Sequence, residues 1–173
     1  MIRHGVRVII VMMLAVSVAT AISAISTKEW RLAKSTNLPK NLDLDEGLFE
    51  TCVSTDGQRI CSDYESSTKD YGKYKACQGL AIASIVLQVF ALGIAVYLLV
   101  STTPEHAKAY WGALVMFSAL GGILMSICVG VFSSTENADP KDLKYGYSFV
   151  LAIVSAVISF GAVIPELVSA SAH

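Results

Sequence analysis

Four long apolar runs, almost free of charge, constrain this chain more than any other feature of its sequence. They cover residues 8–25, 76–100, 110–132 and 147–168, and of the 13 basic and 14 acidic residues only Glu166 lies inside one. A helix rises about 1.5 Å per residue, so about 20 apolar residues cross a hydrocarbon core of roughly 30 Å. A helix also satisfies its own backbone hydrogen bonds in lipid, which an open sheet does not. The runs therefore predict four membrane-spanning helices.

The composition is that of a protein in contact with a lipid bilayer. The chain is 54% hydrophobic and 16% charged, whereas soluble domains average about 45–50% and about 25%. A formal net charge of −1, without a cluster of Lys and Arg, predicts no nucleic-acid partner. The sequence shows no nucleophile–base set, no metal-ligand cluster and no phosphate-binding glycine loop. It therefore predicts neither an enzyme nor a cofactor.

The connection 26–75 carries the specific chemistry of the chain, since it holds nine acidic and eight basic residues and is too polar for lipid. Short strands are predicted around residues 30–32, 47–53 and 59–61, with a second loop on the same side at 133–146. We predict one domain, 1–173. Its fold class is an all-α membrane four-helix bundle with a small extracellular antiparallel β-sheet between helices 1 and 2.

A disulfide between Cys52 and Cys61 is predicted from the turn between the last two strands. Asp56-Gly57 is a hairpin signal that would set the two cysteines opposite one another, and a disulfide would stabilise a sheet with little core of its own. A metal site and a redox pair are the alternatives. Zinc would need further ligands, and all three histidines lie elsewhere. Redox pairs usually have the spacing Cys-x-x-Cys.

The signals for orientation conflict. With both termini inside, the cytoplasmic side holds Arg3, Arg7 and Lys108 and the outer side ten basic residues, against the usual bias. However, the basic tail 1–7 adjoins the first span, and a disulfide belongs in an oxidising compartment. We predict a multi-pass plasma-membrane protein with both termini cytoplasmic. The first run could also be a cleaved signal peptide, but it exceeds the usual apolar length of about 7–15 residues, so a retained helix is expected.

Within the spans, Ser118, Gly122, Ser126 and Gly130 recur at a spacing of four residues. Such small-residue faces pack helices closely in lipid. They predict packing within the bundle or, alternatively, a homo-oligomer interface. Gln88 lies at the centre of the second span and is expected to bond a hydroxyl or carbonyl of a neighbouring helix.

Three other residues in the runs are polar or reactive. Glu166, beside Pro165 near the inner end of the fourth run, is expected to meet water. Cys77 and Cys128 are predicted to be buried free thiols, with a disulfide between them as the alternative.

The loop 26–75 carries an ordered motif of an aromatic residue, Gly-Leu-aromatic-x-x-Cys and a second Cys. Its residues are Trp30, Gly47, Leu48, Phe49, Cys52 and Cys61. The motif resembles the Trp…Gly-Leu-Trp-x-x-Cys…Cys signature of the claudin superfamily, which includes claudins, the peripheral myelin and epithelial membrane proteins and the calcium-channel gamma subunits. The segment 145–149 is similar to the aromatic start of the fourth span in the myelin/epithelial and gamma-subunit branches. The resemblance implies that the motif seats the sheet on the bundle.

The chain departs from this pattern at several points. Phe49 stands where the family usually has Trp, and eight residues separate the two cysteines, which is slightly short. The tail 169–173 lacks the Tyr-Val type ending by which many claudins bind PDZ scaffolds.

The resemblance implies a claudin-like protein that acts in cell–cell junctions, adhesion or a paracellular barrier through its first extracellular loop. The alternative is an auxiliary, gamma-like subunit of an ion channel or receptor. The expected partners are the lipid bilayer and either further copies of the chain or other membrane proteins, namely junction proteins or a channel.

Overall fold

The computed structural model describes residues 2–35, 42–55, 58–66, 70–101, 107–135 and 143–171. Four helices form an antiparallel bundle, and each contains a segment long and apolar enough to cross a membrane. The helix α2 begins five residues before the predicted run at residue 76, and α4 contains Pro165 in its interior. The helices are α1 (Ile2–Ser26), α2 (Tyr71–Val100), α3 (Ala107–Ser133) and α4 (Tyr147–Ser171).

A five-stranded antiparallel sheet stands on one end of the bundle, which we call the sheet end. Its order is β4-β3-β2-β1-β5, and the fifth strand comes from the connection between α3 and α4. The predicted fold class is therefore confirmed. Three strands were predicted and five are present, because the strands at residues 42–46 and 143–145 were not expected. The prediction of a strand over residues 47–53 was wrong at its start, since residues 47–49 form a turn and the strand begins at Glu50. The predicted turn at 56–57 lies outside the described residues. The strands are β1 (Arg31–Ser35), β2 (Leu42–Glu46), β3 (Glu50–Thr55), β4 (Gln58–Asp63) and β5 (Leu143–Tyr145).

Two apolar clusters fill the bundle. The cluster at the sheet end joins the helices to the sheet through aromatic side chains, and the other lies at the far end around Leu14 and Trp111. At that far end the Arg7 guanidinium donates to the Leu98 carbonyl oxygen at 2.9 Å, so it satisfies one of the terminal carbonyls of α2. The lipid-facing positions carry exposed Ile, Val, Leu and Phe side chains, as expected of helices in a bilayer.

The expectation that Glu166 meets water was wrong. Its side chain is fully buried, and Ser118 on α3 donates a hydrogen bond to its Oε2 at 2.9 Å. The helix continues past it to Ser171, and the face it occupies points into the bundle rather than towards an interface with water.

Candidate functional site: the sheet and its seam on the bundle

The contact between the sheet and the helices is the most elaborate part of the molecule. We call it the seam and define it by Trp30, Arg31, Glu46, Leu48, Tyr64, Tyr74, Gln78, Phe132, Thr135 and Phe149, all of them buried.

Trp30 closes the sheet end of the bundle. Its ring is fully buried and packs on Phe132 at 4.9 Å and on Phe149 at 6.1 Å between centroids. Its indole Nε1–H donates to the Ala24 carbonyl oxygen at 2.8 Å, near the end of α1. An aromatic side chain with one polar atom suits this position because its body fills the core while its donor satisfies a terminal carbonyl.

Arg31 and Glu46 form a buried ion pair beneath the sheet. They are directly opposite residues of β1 and β2, and Nη1 of Arg31 lies 3.1 Å from Oε2 of Glu46. Arg31 also donates to Thr135 Oγ1 and to the Phe132 carbonyl oxygen, both at 3.0 Å. The Tyr74 hydroxyl donates to the other oxygen of Glu46 at 2.8 Å. One charge pair thus ties two strands to α2 and to the end of α3.

The turn 47–49 between β2 and β3 is held to α2 on its inner side. Leu48 is buried, and its carbonyl oxygen accepts a hydrogen bond from Gln78 Nε2 at 2.9 Å. A Cβ on Gly47 would lie 3.1 Å from the Lys28 Cα and 3.0 Å from a backbone oxygen, so the close approach of these chains favours glycine. Phe49, by contrast, is 38% exposed.

Two tyrosines stack next to this turn. The ring centroids of Tyr64 and Tyr74 lie 4.1 Å apart, and the two rings are nearly parallel. The Tyr64 hydroxyl donates to the Gly47 carbonyl oxygen at 2.8 Å. Burial raises the pKa of the Tyr64 hydroxyl well above its ordinary value, because a phenolate would lose its hydration there.

The second loop joins the seam through Gly146. Its N–H donates to the Trp30 carbonyl oxygen at 3.1 Å, and the Thr27 hydroxyl donates to Ser148 Oγ at 2.6 Å. A Cβ on Gly146 would overlap the Glu29 carbonyl group. No residue larger than glycine fits there unless β1 and α4 separate.

The predicted disulfide between Cys52 and Cys61 is confirmed. These cysteines are Cα partners of β3 and β4, with Cα atoms 4.0 Å apart. The Glu50 carboxylate lies beside them, which makes this the one group of potential metal ligands among the described residues. The sulfurs are bonded to each other, and Glu50 already pairs with Lys28 at 2.8 Å, so the group is not suited to hold a metal.

The central polar residue of the bundle connects neighbouring helices. Gln88 Oε1 lies 3.0 Å from the Ser17 hydroxyl of α1, which also lies 2.8 Å from the Ser159 hydroxyl of α4. Gln88 Nε2 donates to Ser84, whose hydroxyl donates to the Gly121 carbonyl oxygen at 2.7 Å. This chain of bonds therefore reaches all four helices.

The stripe of small residues on α3 divides between two environments. Ser118 and Gly122 are buried against α4, where a Cβ on Gly122 would lie 3.3 Å from Phe160 and Ser159 atoms. Ser126 and Gly130 are exposed on the lipid-facing side, and the Ser126 hydroxyl donates to the Gly122 carbonyl oxygen. Only the first half of the stripe packs within the bundle.

The whole arrangement agrees with one family of membrane proteins. The model of the PMP-22/EMP/MP20/Claudin family matches residues 5–163 of the chain. The chain belongs to this family. A comparison with curated proteins gives no significant match, so the assignment rests on the family model.

Within this claudin-family fold, the motif residues take different roles. Trp30, Gly47 and Leu48 lie in the seam or its turn, and the two cysteines link β3 to β4. Phe49, at the usual Trp position of the signature, lies at the outside of the turn. Four residues of the seam were not predicted as site residues, namely Arg31, Glu46, Tyr74 and Gln78. The one sequence signal for Arg31 and Glu46 is that they directly adjoin Trp30 and Gly47.

The strand β4 forms one edge of the five-stranded sheet. All six of its residues are exposed, and no described strand pairs with its outer edge. A Cα separation of 4.0 Å between Cys52 and Cys61 is typical of a non-hydrogen-bonded antiparallel pair. The backbone N–H and C=O of Cys61, and by alternation those of Arg59 and Asp63, therefore point away from β3.

Proposed function

We propose that this protein acts at cell–cell contacts, where its sheet projects from the plasma membrane and joins copies of the chain into a junctional or paracellular barrier. The observation that carries the proposal is the edge strand β4, with its row of outward N–H and C=O groups. Such an edge is a template for pairing with another strand. The role is not enzymatic, in keeping with a family of structural, junctional and channel-associated membrane proteins.

In this proposal the sheet is extracellular and both termini are cytoplasmic. The disulfide supports this orientation, because such bonds persist in oxidising compartments. An epitope tag added after residue 173 should bind antibody only in permeabilised cells. Binding in intact cells would reverse the orientation.

Expression in cells that lack junctions tests the contact function. We expect the full chain to reach the cell surface, to gather at contacts between expressing cells and to form strands in freeze-fracture images. Transepithelial resistance should change at the same time. A chain that reaches the surface but forms no strands and leaves resistance unchanged would refute the junctional role.

A pair of variants at one position separates edge pairing from general damage. Arg59→Pro removes an outward N–H, which an edge strand tolerates, whereas Arg59→Ala keeps it. Both variants lose the exposed pair of Arg59 with Asp45. We expect strands to disappear in Arg59→Pro and to persist in Arg59→Ala, with equal surface amounts of both. Equal strand formation by the two variants would exclude pairing through this edge.

The alternative function, an auxiliary subunit of a channel or receptor, is favoured by a groove between α3 and α4. It has a volume of about 190 Å³ and is lined by Ser126, Val129, Ile153, Ala156, Val157 and Phe160. Small and branched side chains of this kind allow close packing of a partner's helix in lipid. Co-purification of the protein with a channel from native membranes, together with an absence of strands, would favour this function over the first.

A further inference from the structure

The edge strand β4 carries charges of opposite sign at two positions with the same orientation. Arg59 and Asp63 are both exposed, and their backbone N–H and C=O groups, like those of Cys61 between them, are directed away from β3. Alternate residues of a strand also share one face of the sheet. The Arg59 guanidinium reaches Asp45 on β2, whereas no described residue forms an ion pair with the Asp63 carboxylate. A strand that adds to this edge therefore meets a positive charge towards one end of β4 and a negative charge at the other.

The backbone of β4 leaves few registers for a second copy of the same strand. In an antiparallel ladder, a residue whose N–H and C=O face the partner strand lies opposite a residue of the same kind, and the two exchange two hydrogen bonds. With Cys61 opposite Cys61 of the second copy, all three outward-facing residues of β4 form such pairs. A shift to either neighbouring register leaves only two of the three paired. The backbone thus favours the register centred on Cys61.

The charges favour the same register. In it, Arg59 of each copy lies opposite Asp63 of the other, so two pairs of opposite charge form on either side of a two-fold axis. Arginine has five N–H donors, so Arg59 can keep its bond to Asp45 while it meets the second copy. If the strands slipped until Arg59 lay opposite Arg59, two like charges would meet at the axis, which is unfavourable.

The other face of β4 gives an independent reason for the same partner. Ile60 is 69% exposed, and it continues a row of apolar residues that crosses β2 and β3 at Leu44 and Val53. In the register centred on Cys61, Ile60 lies opposite Ser62 of the second copy and diagonal to its Ile60, within reach of a long side chain. The exposed isoleucine thereby gains an apolar neighbour, and the apolar row continues from one sheet into the next.

We propose that β4 is a self-recognition strand, through which two copies of the chain pair antiparallel about a two-fold axis at Cys61, with Arg59 and Asp63 selecting both partner and register. This inference rests on the proposed function, since it specifies the pairing at the same edge. A strand from another protein fits as well only if it offers an acidic residue opposite Arg59 and a basic residue opposite Asp63. The partner that the edge fits by its own sequence is therefore a second copy of this chain.

Cysteine pairs test the register directly. The variants Ile60→Cys and Ser62→Cys, with different tags, are reconstituted together as full chains in phosphatidylcholine vesicles and oxidised with copper phenanthroline. Opposite residues of a non-hydrogen-bonded pair have Cα atoms about 4.5 Å apart, which suits a disulfide. We expect links between the two variants to exceed links within either one. A peptide map checks that the Cys52–Cys61 disulfide, on the opposite face of β4, is intact.

Three outcomes of this experiment would overturn the proposal. Links of Ile60→Cys mainly with itself would show the neighbouring register in which Ile60 lies opposite Ile60. Links of Ser62→Cys mainly with itself would show the register on the other side. An absence of links in every combination would exclude pairing through this edge.

Charge exchange tests the selection of the partner. Arg59→Asp and Asp63→Arg each place like charges opposite one another, so neither variant alone should form strands at cell contacts, at a surface amount equal to that of the unaltered chain. Cells that express both variants together should form strands, because each copy then meets its complement, and so should the double variant. Strands in either single variant, or in neither rescue, would overturn the role of the charges while strands of the unaltered chain still supported the junctional function. If the unaltered chain forms no strands, the junctional function fails, and the links in vesicles still decide the register.

Discussion

The buried ion pair of the seam should stabilise the protein far more than an exposed pair of nearly the same length. Arg31→Met leaves Glu46, which is 4% exposed, without its counter-charge. It also removes the hydrogen bonds to Thr135 and to the Phe132 carbonyl oxygen. Breaking a buried pair from one side costs about 3–5 kcal/mol. At about 2–4 °C per kcal/mol for a chain of this size, the unfolding midpoint should fall by about 6–20 °C.

The chain contains its own control for this prediction. Arg59 and Asp45 approach to 2.9 Å, closer than the 3.1 Å of the buried pair, but the Arg59 side chain is 47% exposed. Exposed pairs contribute about 0–1 kcal/mol. Arg59→Met should therefore shift the midpoint by no more than about 4 °C. Burial, and not the distance between the charges, decides the difference.

The natural thiols report the unfolding. Cys77 and Cys128 are buried beneath the seam while the other two cysteines are oxidised, so a fluorogenic maleimide should react as the seam opens on heating in detergent. The double variant Arg31→Met/Glu46→Gln removes both charges. We expect its loss of unfolding free energy to be smaller, by at least about 2 kcal/mol, than the sum of the losses in Arg31→Met and Glu46→Gln. Additive losses, or an Arg31→Met midpoint equal to that of Arg59→Met, would refute the reasoning.

Three further predictions follow from close contacts in the seam and the bundle. Gly146→Ala should abolish surface expression, because the added Cβ would overlap the Glu29 carbonyl group. The control Gly130→Ala should be expressed normally, since no atom lies within 4 Å of its added Cβ. Equal surface expression of the two variants would contradict the steric argument. Leu48→Ala should lower the free energy of unfolding by about 2–5 kcal/mol, and Phe49→Ala by clearly less, since Leu48 is 1% and Phe49 38% exposed. Unfolding is followed by the reaction of the buried thiols with maleimide. A larger loss in Phe49→Ala would show that this side chain is packed in the folded protein. Because the pKa of Tyr64 is higher in the folded than in the unfolded chain, its contribution is complete below about pH 10 and is lost at higher pH. The unfolding midpoint should therefore fall less between pH 9 and 11 in Tyr64→Phe than in the unaltered protein. An equal fall in both proteins would show that other groups cause the pH dependence.

The helices and the sheet differ in how far the sequence specifies them. The lipid requires long uncharged helices, so the four runs were visible without any tertiary information. In the sheet, the alternation Leu42-Asp43-Leu44-Asp45 is a period-two signal for β2, but its acidic residues are uncommon in strands and concealed it. The strand β5 has three residues and exists because it pairs with β1. No local pattern predicts so short a strand.

The seam residues that were missed are charged or polar residues in a polar loop, where most such side chains are solvated. Arg31 and Glu46 become a buried pair only because the β1–β2 register sets them opposite one another above α3. Glu166 was misjudged for the converse reason. Its position near Pro165 at the end of a run suggested water, but the helical face that it shares with the core depends on how α4 packs against Ser118. These properties are set by tertiary contacts, which periodicity does not contain.

The division between seam and edge also decides which variants can report on function. The sheet has little core of its own. Among the described strand residues, Cys52 is buried at the disulfide, while the buried side chains of Arg31 and Glu46 bond to residues of the helices. A substitution in the seam therefore removes support for the sheet, and any loss of cell contacts would follow from a loss of folding. The strand β4 is exposed along its whole length, and the register of its pairing directs the N–H of Arg59 away from β3. If the proposed pairing holds, a change confined to that N–H should alter assembly without altering the fold. The proline–alanine comparison at Arg59 is therefore a cleaner test of the proposed function than any substitution in the motif that contains Trp30 and Gly47.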